Sequence, residues 1–499
     1  MHAWLWLWAL FALAALLARR DRRLLYRLPL AGGVATLLVG AGTIAAWSLG
    51  MPDSRWPHLV LVVAGGLAMP LLACWLRAYL RQDVPRCASC LRAAPVWSAL
   101  CIGLAALATT AYFLLGQAVV ARWGFRDDFT LFESDGPLYV RLMSGEIAGE
   151  HAITLKHPLF LLLTRLLYVA ARPLGGVHTP VLLTALAGGA ALALAAAYFR
   201  AVTGSRVLAL LLAATLGITT AHLVFAALPE TYAFSAAGLI LLHMLLAARP
   251  QCHVRLRHDV PAAALAIGIT LTHIATAVVC FIAAHAWRSG WRASPRWAAG
   301  VLSLLAVGLV VQTALVPESA LADAAGALRG ERRHVARESA SESTRALHNV
   351  ARGMLAENVV APGLVVRADT DGHLGLHLGR YDSALGRICL VTWWLLLAAA
   401  AALICSRSAT RGPTLWAALI CLAGCAVLHI FYGNAHVFLF SGTFTFYFFA
   451  VLAHALRVLD CRSACALVAV LLVPLAVNNM HFCWQWLRLL AEALRTGQG

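Results

Sequence analysis

Charge is what this 499-residue chain has least of: only 12% of its residues are Asp, Glu, Lys or Arg, against roughly 25% in soluble domains. A water-facing surface cannot be built from so few charges, and 61% of the residues are hydrophobic, with a mean hydropathy of +0.79. Acids are scarcer still, 22 against 39 Lys and Arg, so any place where acids gather stands out. A disulfide framework is missing too. The 13 cysteines are dispersed, most of them in apolar runs (Cys74, Cys101, Cys280, Cys389, Cys405), where a thiol acts as a small hydrophobe. Cys87 and Cys90 form one CxxC pair in a basic loop, but no second pair follows to close a four-ligand zinc site. Nor is there a cleavable signal. The first apolar stretch carries its positive charge behind it, at Arg19, Arg20, Arg22 and Arg23, with no small-residue cleavage site, so a retained helix is expected. No short internal repeat is visible.

What the chain does have is a succession of apolar runs near bilayer-spanning length, roughly 20 residues, separated by short arginine-rich breaks. They read as spans near 3–18, 30–49, 58–78, 96–120, 180–199, 207–227, 233–248, 297–316, 388–405, 414–432, 437–456 and 464–484. The formal charge of +17 then reads as positive-inside punctuation, not as a nucleic-acid footprint, because no basic stripe interleaves with aromatics. Basic loops 19–29, 79–92, 200–206, 249–259, 406–411 and 457–462 are placed in the cytoplasm. Residues 121–157, the turn at Leu228, Pro229 and Glu230, and the polar stretch from Pro317 to Arg387 then fall outside.

Parity holds only if segments 158–173 and 260–287 each begin and end on one side. For 260–287, flanked by Arg255, Arg257, Arg288 and Arg292, a hairpin of two half-helices turning near Thr272 and His273 meets that condition; otherwise one flank breaks the charge rule. Segment 158–173 is expected to be a partly inserted helix. The expected fold is an all-α polytopic membrane protein of about 12–14 transmembrane helices. Its parts are N-terminal spans over 1–120, a core over 121–316 with an acidic outward loop 121–157, an outward loop or small cap over 317–387, and C-terminal spans over 388–499.

The loop 121–157 gathers Asp127, Asp128, Glu133, Asp135, Glu146 and Glu150. A carboxylate close to low dielectric has its pKa raised toward working pH and can take the proton of an acceptor hydroxyl; each of these acids can equally be a solvated polar residue. Asp127 and Asp128 have the chemistry of a divalent-ion ligand pair and also that of a polar turn. Glu230, between two long apolar helices, is a functional-site candidate, although the interface is also the least costly place for a Glu. Lys156 reads as a point charge for phosphate or as a snorkelling anchor, and His273 as a phosphate or sugar contact or a hydrogen-bonded core histidine. Late in the chain His429, Tyr432, Asn434 and His436 mark an outward turn whose aromatics an interfacial belt explains.

The run D-G-P-L-Y-V-R-L-M-S-G from Asp135 to Gly145, followed by K-H-P-L-F from Lys156 to Phe160, resembles the GT-C glycosyltransferases, in the branch of the aminoarabinose and protein O-mannosyl transferases. There an Asp, usually followed by Glu, precedes a Tyr-bearing amphipathic helix ending in Gly, and a K/H-P-P-L-Y-like segment enters the next membrane helix. Asp135, Tyr139, Gly145, Lys156, Pro158 and Leu159 fall on that pattern. Glu230 and Tyr232 stand at an outward helix junction where the family often carries an acid, and AIGITLTHIATAVVCF resembles a family hairpin with His273 in place of a Lys. The resemblance covers roughly residues 120–290. Two departures stand out: Gly136 replaces the common second acid, which puts in doubt any metal site built on an Asp-Glu pair, and four spans rather than one precede the acidic loop.

The resemblance implies transfer of a sugar from a polyprenyl-phosphate carrier to a lipid, glycan or protein acceptor on the outer face of the membrane. Ala, Leu and Arg enrichment suggests a bacterial inner membrane. Asp135, with Glu133 beside it, is the expected catalytic acid pair, and Lys156 and His157 the contacts of the leaving phosphate. Tyr139, Glu230, Tyr232 and His273 would line the substrate, and a divalent ion, if one is used, falls to Asp127 and Asp128. A transporter or flippase of lipid-linked glycans is the rival reading, and should keep its acids inside the spans. A non-catalytic membrane scaffold is another.

Overall fold

The computed structural model describes residues 95–125, 129–146, 156–171, 176–249, 256–315, 340–368, 374–433 and 437–495. The spans expected near 3–18, 30–49 and 58–78, the Cys87 and Cys90 pair, Asp127, Asp128, Glu150, Asn434 and His436 lie outside the described residues.

Helix α1 (Pro95–Trp123) leads into strand β1 (Phe129–Leu131) and the short helix α2 (Gly136–Ser144). Then come α3 (Phe160–Ala171), α4 (His178–Thr203), α5 (Arg206–Gly217), α6 (Thr220–Phe225) and α7 (Tyr232–Ala248). They are followed by α8 (Leu256–Ile269), α9 (His273–Ala284), α10 (Ala286–Leu315) and α11 (Ala340–Arg352). Strands β2 (Leu364–Ala368) and β3 (Leu374–Leu378) precede α12 (Ala384–Ser406), α13 (Pro413–Phe431), α14 (Ser441–Leu456) and α15 (Cys461–Arg495). Among the described residues six helices are long and apolar enough to cross a membrane: α1, α4, α12 and α13, with the Ala293–Gln312 part of α10 and the Cys461–Ala493 part of α15. The chain is thus a helical integral membrane protein, with five shorter apolar helices packed among the long ones.

Helix α4 sits at the centre, between α1 and α7, because it is built from Ala and Gly on the faces where neighbours come closest. A Cβ on Gly189 would collide with Ala105 O and Thr109, and one on Gly188 with Ala226, so only glycine lets α1 and the end of α6 approach.

Both segments that strained the parity are short helices. Helix α8 ends at Ile269 and α9 begins at His273, and their far ends return to one place, where Asp259 meets Arg249 and lies 3.3 Å from His285. This is the hairpin expected of residues 260–287. That same end of the molecule gathers other basic-loop residues, with Ser205 Oγ 3.2 Å from Cys461 Sγ and Arg457 donating to Ala409 O.

Two expectations need correction. The span expected over 207–227 is two helices, α5 and α6, broken at Ile218 and Thr219. Asn479 of α15 donates from one amide nitrogen to Ile218 O (2.8 Å) and Val359 O (2.9 Å) and accepts from Ala361 N–H (3.0 Å), so the break leaves Ile218 O satisfied at depth. The fold is also not purely α. β1, β3 and β2 form a small sheet in that order, β1 parallel and β2 antiparallel to β3. Gly375 opposes Thr130 in this sheet, and a Cβ there would strike Thr130 Oγ1, so glycine sets the strand spacing. The described part of 317–387 is consequently a folded cap, in which α11, a π-turn over Gly353–Glu357, a buried strap over 358–361 and the β2–β3 hairpin cover the end of the bundle where Asp135 lies.

Candidate functional site

The acidic loop is organised by its pairing with the cap. After β1 the chain turns through Phe132 and Glu133 in the left-handed region, φ 54° and 63°, a conformation costing about 1–3 kcal/mol for a side-chain-bearing residue. The turn is held because Phe132 N–H donates to Leu376 O (2.8 Å) while the Phe132 ring packs among Phe438, Phe482 and Trp486, with centroids 5.1–6.1 Å away. Asp135 follows as the residue before α2, exposed, and its side chain makes no capping bond. Gly136 is closely packed: a Cβ would lie 3.3 Å from both the Trp123 and Phe125 rings, so the second acid common in the GT-C pattern has little room here. Gly145, with φ 82°, closes α2 as its left-handed cap.

Across from Asp135 stands Glu230, on the turn between α6 and α7, only 2% exposed. The Asp135 N–H donates to Glu230 Oε1 at 2.7 Å and Thr231 N–H donates to Oε2 at 3.3 Å. Burial raises the Glu230 pKa well above the carboxylate range, and the nearby Asp135 charge raises it further, outweighing those two N–H donors. Tyr232 lies within electrostatic reach of Glu230, Tyr139, Asp135 and Tyr432, and packs edge-on against Phe440.

The K-H-P-L segment reaches the same region by docking on the hairpin break. Leu271 N–H donates to Lys156 O (2.9 Å) and Leu159 N–H to Gly268 O (2.6 Å), so the two stretches pair by their backbones. His157, 8% exposed, places Nδ1 2.7 Å from Ile269 O; the carbonyl can only accept, so Nδ1 carries the proton and Nε2 is the basic nitrogen. The hydroxyls of Thr270 and Ser235 extend this polar seam, at 3.4 Å from His157 Nδ1 and 2.5 Å from each other. His273 lies close enough to His157 to act on it electrostatically, and its ring is buried. The Tyr139 ring meets His157 at 6.4 Å and Phe160 at 5.7 Å, which ties α2 to this seam.

Asp135, Tyr139, Lys156, His157, Glu230, Tyr232 and His273 are therefore one neighbourhood, linked by these contacts. Glu133 is not part of it. Its carboxylate turns the other way, 3.5 Å from His377 Nδ1, into a cavity under the cap beside Arg352 and Glu357. Arg352, Glu357 and His377 were missed from sequence, where nothing in their spacing sets them apart; Glu357 and His377 are buried in the fold. His429 stacks on Phe440 at 4.7 Å, a packing role. Among the described residues no group of three His, Cys, Asp or Glu side chains is placed to hold a metal ion.

The chain matches no family model, no curated protein and no solved structure.

Proposed function

We propose that this chain is a membrane glycosyltransferase that moves a sugar from a polyprenyl-phosphate carrier to an acceptor hydroxyl at the outer membrane surface. The observation that carries the reading is the pairing of an exposed carboxylate, Asp135, with the buried Glu230, next to a seam holding Lys156, His157 and His273. An acid at the rim and cationic or proton-donating groups at the mouth of a broken helix are the two halves that displacement at an anomeric carbon needs.

In the proposed reaction Asp135 takes the acceptor O–H proton as that oxygen bonds to the anomeric carbon. The bond from the anomeric carbon to the phosphate oxygen breaks, and its electron pair leaves with the polyprenyl phosphate. Lys156 offsets the charge growing on that oxygen. Glu230 is a positioning residue: by accepting the Asp135 N–H it fixes where the base stands relative to α7. The bacterial inner membrane is the setting we infer, with the cap facing outward.

The test is glycan and glycolipid mass spectrometry on envelope material from cells carrying the wild-type chain, Asp135→Asn or no copy, with matched protein levels. We expect one sugar mass to vanish in the null and to fall by about 10²–10⁴-fold in Asp135→Asn, the usual effect of removing a general base. A null that loses the mass while Asp135→Asn keeps it would move the role to transport or scaffolding.

A further inference from the structure

The bundle end holds a cavity of about 250 Å³ whose wall does not include Asp135, Tyr139, Lys156, His157 or Glu230. Glu133, Asn349, Arg367 and His377 line its polar side, and Phe132 and Phe438 its apolar side. We propose that this cavity binds one neutral, hydroxyl-rich ring, a single sugar unit of the acceptor, and that Glu133 is a ring-binding residue and not a base. Only the word acceptor rests on the transferase reading; the ring site stands on the cavity itself.

Size comes first. The space corresponds to about eight waters at ~30 Å³ each and falls short of the ~300–1,000 Å³ usual for drug-sized ligands, so it suits one ring and not a chain. Charge comes second. Arg352, also on the wall, is already committed, with Nε 2.6 Å from Glu357 Oε1 and Nη2 donating to Gly379 O at 2.5 Å. Glu133 faces His377 at 3.5 Å. The wall thus carries two carboxyl groups and two guanidinium groups, close to charge balance, which favours a neutral ligand over a phosphate. A hydroxyl, which donates and accepts at once, can give its proton to Glu133 and accept from Asn349 or from Arg367 at the exposed rim. Phe132 and Phe438 then offer an aromatic wall to the C–H face of the ring.

Placement is the third argument. Glu133 and Asp135 lie two residues apart on a turn fixed by the β1–β3 pairing and by the Phe132 cluster, yet they face different spaces. The cavity wall includes Glu133 and not Asp135, so Glu133 is placed to hold a ring and not to share the Asp135 site.

The experiment is saturation-transfer NMR on the full chain in lipid nanodiscs, with the methyl glycosides of common hexoses and pentoses as probes and inorganic phosphate as competitor. We expect at least one glycoside to bind saturably, phosphate not to displace it, and Glu133→Gln or Asn349→Ala to weaken it by at least about tenfold, the loss of one charge-assisted or amide hydrogen bond. Arg367→Ala, exposed and so unable to unfold the cap, should weaken it severalfold, and Ser408→Ala, on the opposite end, should not. Three results would each overturn the proposal: no glycoside binds the wild type, phosphate competes, or all three cavity variants bind as well as wild type. A chain that binds a glycoside here while Asp135→Asn keeps the sugar mass in cells would refute the transferase reading and leave the ring site standing.

Discussion

At the scale of single residues the informative quantity is the proton on Glu230. Burial, and then the charge of Asp135, hold its pKa well above the unperturbed 4.5. Between that value and the raised one, the folded chain keeps a proton that the unfolded chain has lost, so stability falls as pH rises through the window. Glu230→Gln carries no proton to lose and keeps an amide oxygen for the Asp135 N–H. We expect thermal unfolding in detergent to show the wild type losing midpoint relative to Glu230→Gln on raising pH from about 4.5 toward neutrality. Parallel curves would mean that Glu230 is ionised in the folded chain. Asp135 and Glu230 were legible in sequence because carboxylates are rare here and both sit at span boundaries. His377 and Glu357 were not, since nothing in a linear pattern says that strand β3 will bring His377 beside Glu133.

At the scale of elements, the K-H-P-L segment packs against the hairpin break through His157 and the backbone pairing as well as through the Leu159 side chain. Glycines receive it on both sides: a Cβ on Gly268 would lie 2.6 Å from Leu159 Cδ1, and one on Gly308 would clash with Cδ2. Gly268→Ala should therefore push Leu159 outward, costing about 1–3 kcal/mol by overpacking, and shift Lys156 and His157 with it. Adding Leu159→Ala removes the clashing methyls. The double variant should recover part of the stability that Gly268→Ala loses, and part of the proposed transfer activity with it, a coupling that a double-mutant cycle measures directly. Additive defects would show that Leu159 does not transmit the strain. The break itself could be anticipated, because arginines at both flanks of 260–287 demand a return to the same side. The break between α5 and α6 escapes a reading of the sequence, although Gly217 and the Thr219 cap mark it, because the run is long enough for one span and the amide that completes the break, Asn479, lies far along the chain. The strands were hidden for a related reason: five-residue segments in a polar stretch acquire their partners only from the tertiary fold.

For the whole molecule, the structure sorts the loops between two ends. Asp135, Glu230, the cap and Val437 with Phe438 share one end. Ser205, Asp259, His285, Ala409, Arg457 and Cys461 share the other. This is the division that arginine placement demands if the second end is cytoplasmic. The strap over 358–361 also ties the cap into the bundle, since Val359 O and Asn358 O accept from Thr220 and Ala221 N–H at 3.3 and 3.0 Å. These bonds hold the strap to α6, so in the proposed reaction the carrier and the acceptor would meet a preformed site. Orientation is then open to one measurement. In a variant with all 13 cysteines removed, a single cysteine at His348 should react with a membrane-impermeant maleimide on intact cells, while one at Ser408 should react only after permeabilisation. Both positions are exposed, so access to the reagent is decided by the side of the membrane. The reverse pattern would put the Asp135 end in the cytoplasm, where no outer-face acceptor could reach it, and the transferase reading would fail with it.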